Sequence, residues 1–346
     1  MTTPTRFTQA ALVGWDRDLG PDRLASETLE SILAPVLRRL RLPKGVLAQL
    51  TGVNHRHLYP ADSPTHGGGL NAARRLLAAF PHLVDKIQIH FSTSVGRDLL
   101  EPSVASTVSA RLGLGPSVKN LDLGSACLGF IEAMELAAHL IEAQVLEYAL
   151  ITAGENSRPL LENTLNRLLE PELTARQFFR HFASLTLGSG GAATLVGPSR
   201  LHPTAPRIKA VVSLADTTAN DLCQGDFSGM VTDAAQLLTA GVKLAQATFQ
   251  LGQEKFGWLG TTFDAIICHQ VSRANTDKLC QVLELPEARL LRTYPDFGNM
   301  GPVAAPFNFA LAWERKLIGP GQKAIIMGIG SGLACSMLEL EIPPNP

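Results

Sequence analysis

The sequence predicts an α/β fold of two pseudo-symmetric halves, with helices between and outside two sheets, and three observations carry that expectation. First, Lys86–Val95 (KIQIHFSTSV) and Asp264–Val271 (DAIICHQV) both read as buried strands running into polar turns. Second, each is followed by an arginine (Arg97, Arg273), a helical stretch, a short strand and a glycine turn. Those turns are Gly124-Ser125-Ala126-Cys127 in one copy and Gly298-Asn299-Met300-Gly301 in the other. Third, a long apolar helix follows each turn and leads to a strand ending in glycine, Tyr148–Gly154 and Lys323–Gly328. Gly124 and Gly154 stand 30 positions apart, as do Gly298 and Gly328. Two generic β-α-β segments aligned by chance are the alternative; the matched glycine turns favour duplication. Such halves pack back to back as five layers, α-β-α-β-α.

The elements follow in order. Met1 to Thr8 is polar and lacks the basic and apolar regions of a signal peptide. Leu33–Pro81 reads as peripheral, with turn chemistry at Pro60-Ala61-Asp62 and Gly67-Gly68-Gly69. After Cys127 the residues Leu128, Phe130, Ile131, Met134, Leu136, Ala137, Leu140 and Ile141 cover most of a helix circumference, which places that helix inside the protein. The insertion 157–183 is charged and amphipathic, with Leu160, Leu161, Leu165, Leu168 and Leu169 on one side, and reads as a helical cap over a pocket. We therefore expect one half at 1–195, carrying this cap, and a second at 196–346. Ala324 to Leu340 is apolar but broken by glycines and too short to span a bilayer as a helix.

Composition limits the function. The 346 residues are 45% hydrophobic and 18% charged, enough for a sizeable core. A formal net charge of -1 gives no field favouring nucleic acid or an anionic membrane. The basic cluster Arg38, Arg39, Arg41 and Lys44 reads as a solvated helix end, or as steering for an anionic carrier. Five irregularly spaced cysteines make no disulfide framework, and no His or Cys cluster has metal-ligand spacing. A reducing cytoplasm and no metal are expected.

Three residues stand out chemically. Cys127 lies where a strand meets an apolar helix, and a thiolate there would be stabilised by free N–H groups and the helix dipole, with a lowered pKa. A buried structural cysteine is the plainer reading. His269 ends the strand AIIC, where a general acid or hydrogen-bond donor would sit; a satisfied structural histidine is the alternative. Asn299 occupies a glycine-flanked turn, for which its tolerance of left-handed geometry is reason enough. The repeat, however, sets Cys127 and Asn299 on equivalent turns and His269 at the end of a matching strand. A Cys, His and Asn converging between two halves suit acyl-thioester chemistry: Cys carries the acyl group while His and Asn donate to an enolate oxygen. Gly330-Ser331-Gly332 offers a backbone N–H for the acyl oxyanion.

These segments carry a resemblance. SACLGF at Cys127, CHQVSRAN at His269, FGNMGP at Asn299 and GIGSGL near the end resemble the ketoacyl synthase III branch of the thiolase superfamily, along essentially the whole chain. Within it, STSVGRDLLEPSVAS, LITAGENS, MVTD and GVKLAQATF are similar to OleA-type enzymes, which join two fatty acyl-CoA molecules head to head in long-chain olefin biosynthesis. The resemblance implies a thiolase-like fold, an acylated Cys127, a first oxyanion site from the N–H groups of Cys127 and Ser331, and a second from His269 and Asn299. It implies a homodimer in which Glu101 reaches across to serve as base; composition alone makes Glu101 a surface carboxylate. It also implies coenzyme A thioesters as substrates, no resident cofactor, and downstream olefin-pathway enzymes as partners. Two simple acyl thioesters condense only if a base removes an α-proton, so Glu101 favours the non-decarboxylating route. The alternative is a decarboxylating synthase using malonyl-thioester. Cys335 and Cys268 are expected in the core. SPTHGGGL and Arg158–Arg180 depart from the OleA pattern.

Overall fold

A computed structural model describes residues 4–226 and 228–344. Ten strands form one mixed sheet: β1 (Thr5–Arg6), β2 (Ala10–Leu19), β3 (Ile87–Ser92), β4 (Lys119–Asp122), β5 (Tyr148–Glu155), β6 (Gly190–Pro198), β7 (Arg207–Ala215), β8 (Ala265–Cys268), β9 (Lys323–Gly330) and β10 (Ala334–Glu341). Their order is β8-β9-β10-β7-β2-β6-β5-β3-β4, with β1 paired to β7. The longer helices are α1 (Gly67–Ala79), α2 (Val104–Leu112), α3 (Gly129–Glu142), α4 (Arg158–Leu168), α5 (Ala175–His181), α6 (Ala234–Phe256), α7 (Arg273–Val282) and α8 (Ala304–Glu314).

The duplication is visible in the pairing. β3 and β5 are parallel, β6 runs antiparallel to β5, and β2 is antiparallel to β6. β8, β9, β10 and β7 repeat that pattern from the other edge. The counterpart of β4 is reduced to an isolated parallel bridge between Ile266 and Leu290. The two sheets that were expected meet edge to edge, through β1 on β7 (Thr5 with Val211, Arg6 with Ala210) and through Ala11 with Arg207. The expected boundary at 195/196 falls inside β6, and the connection 199–206 leads from that strand to β7. GGAATLVGP is buried throughout with glycine and proline at its ends, so no polar punctuation marks where that strand stops.

Two helices fill the space between the halves. In α3, Phe130 and Ile131 are 0% exposed and Met134 1%. Burial of side chains this size stabilises by about 1.5–3 kcal/mol each. α8 is buried on nearly every face from Ala304 to Ala312. Such a helix has no face to offer water, which is why a sequence apolar all round belongs there. A short 3-10 turn precedes each, Ala126–Leu128 before α3 and Gly301–Val303 before α8, and the two turns pack against each other. That contact brings the Cys127 turn of one half to the turn that follows Asn299 in the other.

The insertion 157–183 packs on the N-terminal helices. Leu161, Leu165 and Leu168 of α4, with Phe178 of α5, pack on Leu29, Leu33 and Leu37 from the short N-terminal helices. Leu169, expected on that same face, is 39% exposed. Arg39 donates to the carbonyls of Glu170 and Leu173 at 3.1 Å, so part of the basic cluster ties the N-terminal helices to the cap. Among the described residues no helix is long and apolar enough to cross a membrane.

Candidate active site

Cys127 sits in the 3-10 turn between β4 and α3. Ala126 before it has φ +46°, a left-handed conformation that costs a non-glycine residue roughly 1–2 kcal/mol and kinks the chain so that Cys127 faces inward. The turn is seated by Gly330: a Cβ there would lie 2.9 Å from the Ser125 carbonyl oxygen and 3.3 Å from Leu128 Cγ, so only glycine lets the 330–332 loop approach. This approach sets the loop carrying Ser331 beside Cys127.

His269 continues β8, its N–H bonded to the Met327 carbonyl at 2.9 Å. Its neighbour Gln270 faces the other way. Gln270 Oε1 accepts from the N–H groups of Thr293 (2.8 Å) and Tyr294 (3.2 Å), and its Nε2 donates to Leu291. One strand end therefore presents His269 to the site and ties down the chain leading to Asn299. Asn299 is held by its own backbone, bonded both ways to Thr186 and Gly188 at 2.9 Å. Its Oδ1 accepts the Gly301 N–H at 3.0 Å, which fixes the orientation of the amide. The same Oδ1 lies 2.9 Å from His269 Nε2, so that nitrogen carries the proton, and Asn299 Nδ2 is left to donate into the cavity. Burial holds the His269 pKa below its ordinary value, against opposing hydrogen bonds to Asn299 and the Ile329 backbone. At neutral pH the imidazole is an uncharged donor.

Cys127, His269, Asn299 and Ser331 line one cavity of about 1090 Å³. Its far wall is apolar, with Leu237, Val242 and Ala245 of α6 facing Leu279, Ile329 and Met337. Cys268 and Cys335 are buried, as expected of core residues, and also border this cavity. Glu101 is not brought to the site. It stands exposed on the loop 95–103, outside the lining of its own chain's cavity, between Leu100 (74% exposed) and Pro102.

One expectation is reversed. Burial pushes the Cys127 thiol up to about 12, with the Glu155 carboxylate and Cys223 adding to the rise. Desolvation and a like charge outweigh the helix terminus, so the resting group is a thiol whose proton must leave as the nucleophile attacks. Sequence reading also missed Glu155 itself. It ends β5 inside the quoted segment LITAGENS, lines the cavity, and accepts the N–H groups of Val95 (2.6 Å) and Gly96 (3.2 Å). Burial raises its pKa to about 7 despite those bonds. Its only sequence signal is a carboxylate at the C-terminal end of a parallel strand, where sites form.

A duplicated α/β fold with a buried cysteine turn, a neutral histidine and an oriented asparagine around one large cavity defines a thiolase-superfamily condensing enzyme. Residues 254–342 match the family described as 3-oxoacyl-[acyl-carrier-protein (ACP)] synthase III C terminal. Along nearly its whole length the chain is 36% identical to an acyl-CoA:acyl-CoA alkyltransferase of Xanthomonas campestris, covering 96% of this chain and 99% of that one. It is 32% identical to the enzyme of that name from Shewanella oneidensis, over 94% and 96%. A crystal structure of an X. campestris OleA cysteine-to-serine variant with bound lauric acid and lauroyl-CoA superposes with a TM-score of 0.94 at 35% identity, covering 97% of this chain and 99% of that one. The chain belongs to the OleA family of acyl-CoA:acyl-CoA alkyltransferases.

Proposed function

We propose that the chain loads a fatty acyl group from acyl-CoA onto Cys127 and condenses it, without decarboxylation, with a second acyl-CoA to a 2-alkyl-3-ketoacyl product, as in long-chain olefin biosynthesis. The observation that carries this reading is the oriented Asn299–His269 pair beside Cys127 in a large apolar cavity. In the first step the Cys127 sulfur attacks the acyl carbonyl, the N–H groups of Cys127 and Ser331 take the oxyanion, and coenzyme A leaves as the thiol with the cysteine's proton. In the second, a base removes an α-proton from the second acyl-CoA. Asn299 Nδ2–H stabilises the enolate oxygen, and His269 Nε2–H joins it by turning from Asn299 Oδ1, on which it rests, toward that oxygen. The enolate carbon attacks the acyl-Cys127 carbonyl, and the cysteine sulfur departs and is reprotonated.

Glu101 is the base in this reading, delivered by a second copy. Leu99 (62% exposed) and Leu100 stand uncovered on the Glu101 loop, and Leu121 (43%) on the edge strand β4, in one chain. An unpaired strand edge flanked by apolar side chains is a surface that another chain covers. No resident cofactor enters either step. The protein works in the cytoplasm, and further enzymes of olefin biosynthesis act on its product.

The test is incubation with acyl-CoA alone, followed by mass spectrometry. A β-keto acid or its ketone breakdown product is expected. Glu101→Gln should lower condensation by at least ~100-fold, the lower end for a general base, while Cys127 still acylates. Mixing Glu101→Gln with Cys127→Ala chains should restore activity in heterodimers that hold one complete site. A product formed only when malonyl-thioester is supplied would move the chain to the decarboxylating class.

A further inference from the structure

Three carboxylates anchor the loop that carries Glu101, and two of them, Asp98 and Glu155, belong to the cavity wall. Asp98 accepts the Thr65 N–H at 3.0 Å and the Thr65 hydroxyl at 2.7 Å, with His66 Nδ1 at 3.3 Å. Glu155 accepts from Val95 and Gly96, where the loop leaves β3. Gly96 is wedged: a Cβ there would lie 2.8 Å from Thr65 Cγ2 and 3.2 Å from Glu155 Oε2. At the far end Asp122 accepts the N–H groups of Val104 (3.0 Å) and Ala105 (2.8 Å). Leu99, Leu100 and Glu101 form the exposed span between these anchors.

Glu155 also reaches the other catalytic segments. A Cβ on Gly301, whose N–H orients Asn299, would lie 3.9 Å from Glu155 Cγ. Its charge opposes ionisation of Cys127. A carboxylate buried beside the nucleophile hinders the first step, and the acylation chemistry gives no reason to keep it there. Its two backbone hydrogen bonds give one.

We propose that Glu155 is a positioning residue for condensation: its carboxylate clamps Val95 and Gly96 and so sets where the Glu101 loop leaves the cavity. This rests on Glu101 being the base. A loop whose origin shifts by about 1 Å misplaces the group at its apex, an error worth about 100-fold in rate. An amide replaces one of the two acceptors with a donor facing an N–H, so Glu155→Gln releases the clamp while conserving shape.

The experiment reads two quantities that a general loss of structure would move together. In Glu155→Gln, condensation should fall about 10–100-fold, while iodoacetamide should modify Cys127 about threefold faster or more, because the opposing charge is gone. Across pH 5–8 the wild-type alkylation rate should carry an inflection from Glu155 that the variant lacks. The other titratable groups facing this part of the cavity are Arg97 and Asp98 on the loop, His66 before α1, Cys127, Cys223 and His269. Gly96→Ala pushes on the loop from within the wedge and leaves the carboxylate in place; it should slow condensation with Cys127 alkylation unchanged. If Glu155→Gln does not fold, this second variant decides.

Condensation at the wild-type rate in both variants, with Glu101→Gln impaired, overturns the positioning role and leaves the proposed base intact. Exchange of substrate α-hydrogens with deuterated solvent separates the remaining case. Exchange lost in Glu155→Gln but kept in Glu101→Gln would make Glu155 the base and defeat both readings.

Discussion

Replacing Asn299 separates its two jobs. Its Oδ1 accepts two hydrogen bonds, from His269 Nε2 at 2.9 Å and Gly301 N at 3.0 Å, and its Nδ2 points into the cavity. Asn299→Ala strands both donors. Each buried unsatisfied group costs about 1–3 kcal/mol. The cavity admits water, so the low end applies and the total loss is about 2 kcal/mol, a fall of a few degrees in the thermal midpoint. The missing oxyanion donor adds about 2.7–4 kcal/mol to the condensation barrier, roughly 100–1000-fold in rate. Asn299→Asp restores both acceptors and should recover most of the midpoint. It also sets a negative charge where the enolate oxygen forms, so condensation should fall at least as far as in the alanine variant. Calorimetry gives the midpoints, and mass spectrometry of the Cys127 peptide follows acylation apart from product. Acylation should suffer less than condensation in both variants. An Asn299→Asp enzyme condensing within tenfold of wild type would refute the donor role, and equal losses in the two steps would assign Asn299 to the thiol instead.

Two further outcomes are expected. With the Cys127 thiol raised to about 12, its alkylation by iodoacetamide should climb about tenfold per pH unit from 8 to 10 without a plateau. Folding stability should correspondingly fall as pH rises from about 9, the unfolded value, toward about 12, because the folded state holds the proton longer; a plateau below pH 8 would mean a resting thiolate. Gly330→Ala places a methyl group 2.9 Å from the Ser125 carbonyl oxygen. It should cost about 1–3 kcal/mol of stability by overpacking and slow acylation before condensation, read as the burst of acyl-Cys127; unchanged acylation would show that the 330–332 loop does not serve the first oxyanion.

The repeat was legible because each half writes the same grammar: a buried strand, a polar turn, and a glycine turn before an all-apolar helix. That grammar placed Cys127, His269 and Asn299 at the end of equivalent elements, and the packing of the two 3-10 turns brings them together. What stayed hidden was set by tertiary contact. Glu155 looks like any charged residue after a strand until Val95 and Gly96 are seen folding back onto it. The direction of the Cys127 shift depends on burial and on that same carboxylate, neither of which a helix-terminus argument contains. The edge strand of the second half shrinks to one bridge at Leu290, and the backbone just beyond it is bound by the Gln270 side chain, a partner that strand patterning does not reveal.

The mirrored strand order has a consequence for how this enzyme divides its labour. Each half contributes one turn at the same structural address, yet the first turn holds Cys127, which the proposed function makes the acyl carrier, and the second holds Asn299, which it makes a donor to the opposing carbonyl. Only short ladders join the two sheets, β1 on β7 and Ala11 with Arg207, and the longer strands pair within their own half. In the proposed reading, a change in the 298–301 turn would retune how the incoming thioester is polarised, while the first acyl group is held by Cys127 and the 330–332 loop. Two copies of one motif, facing each other across a seam, let loading and bond formation be adjusted as separate instruments.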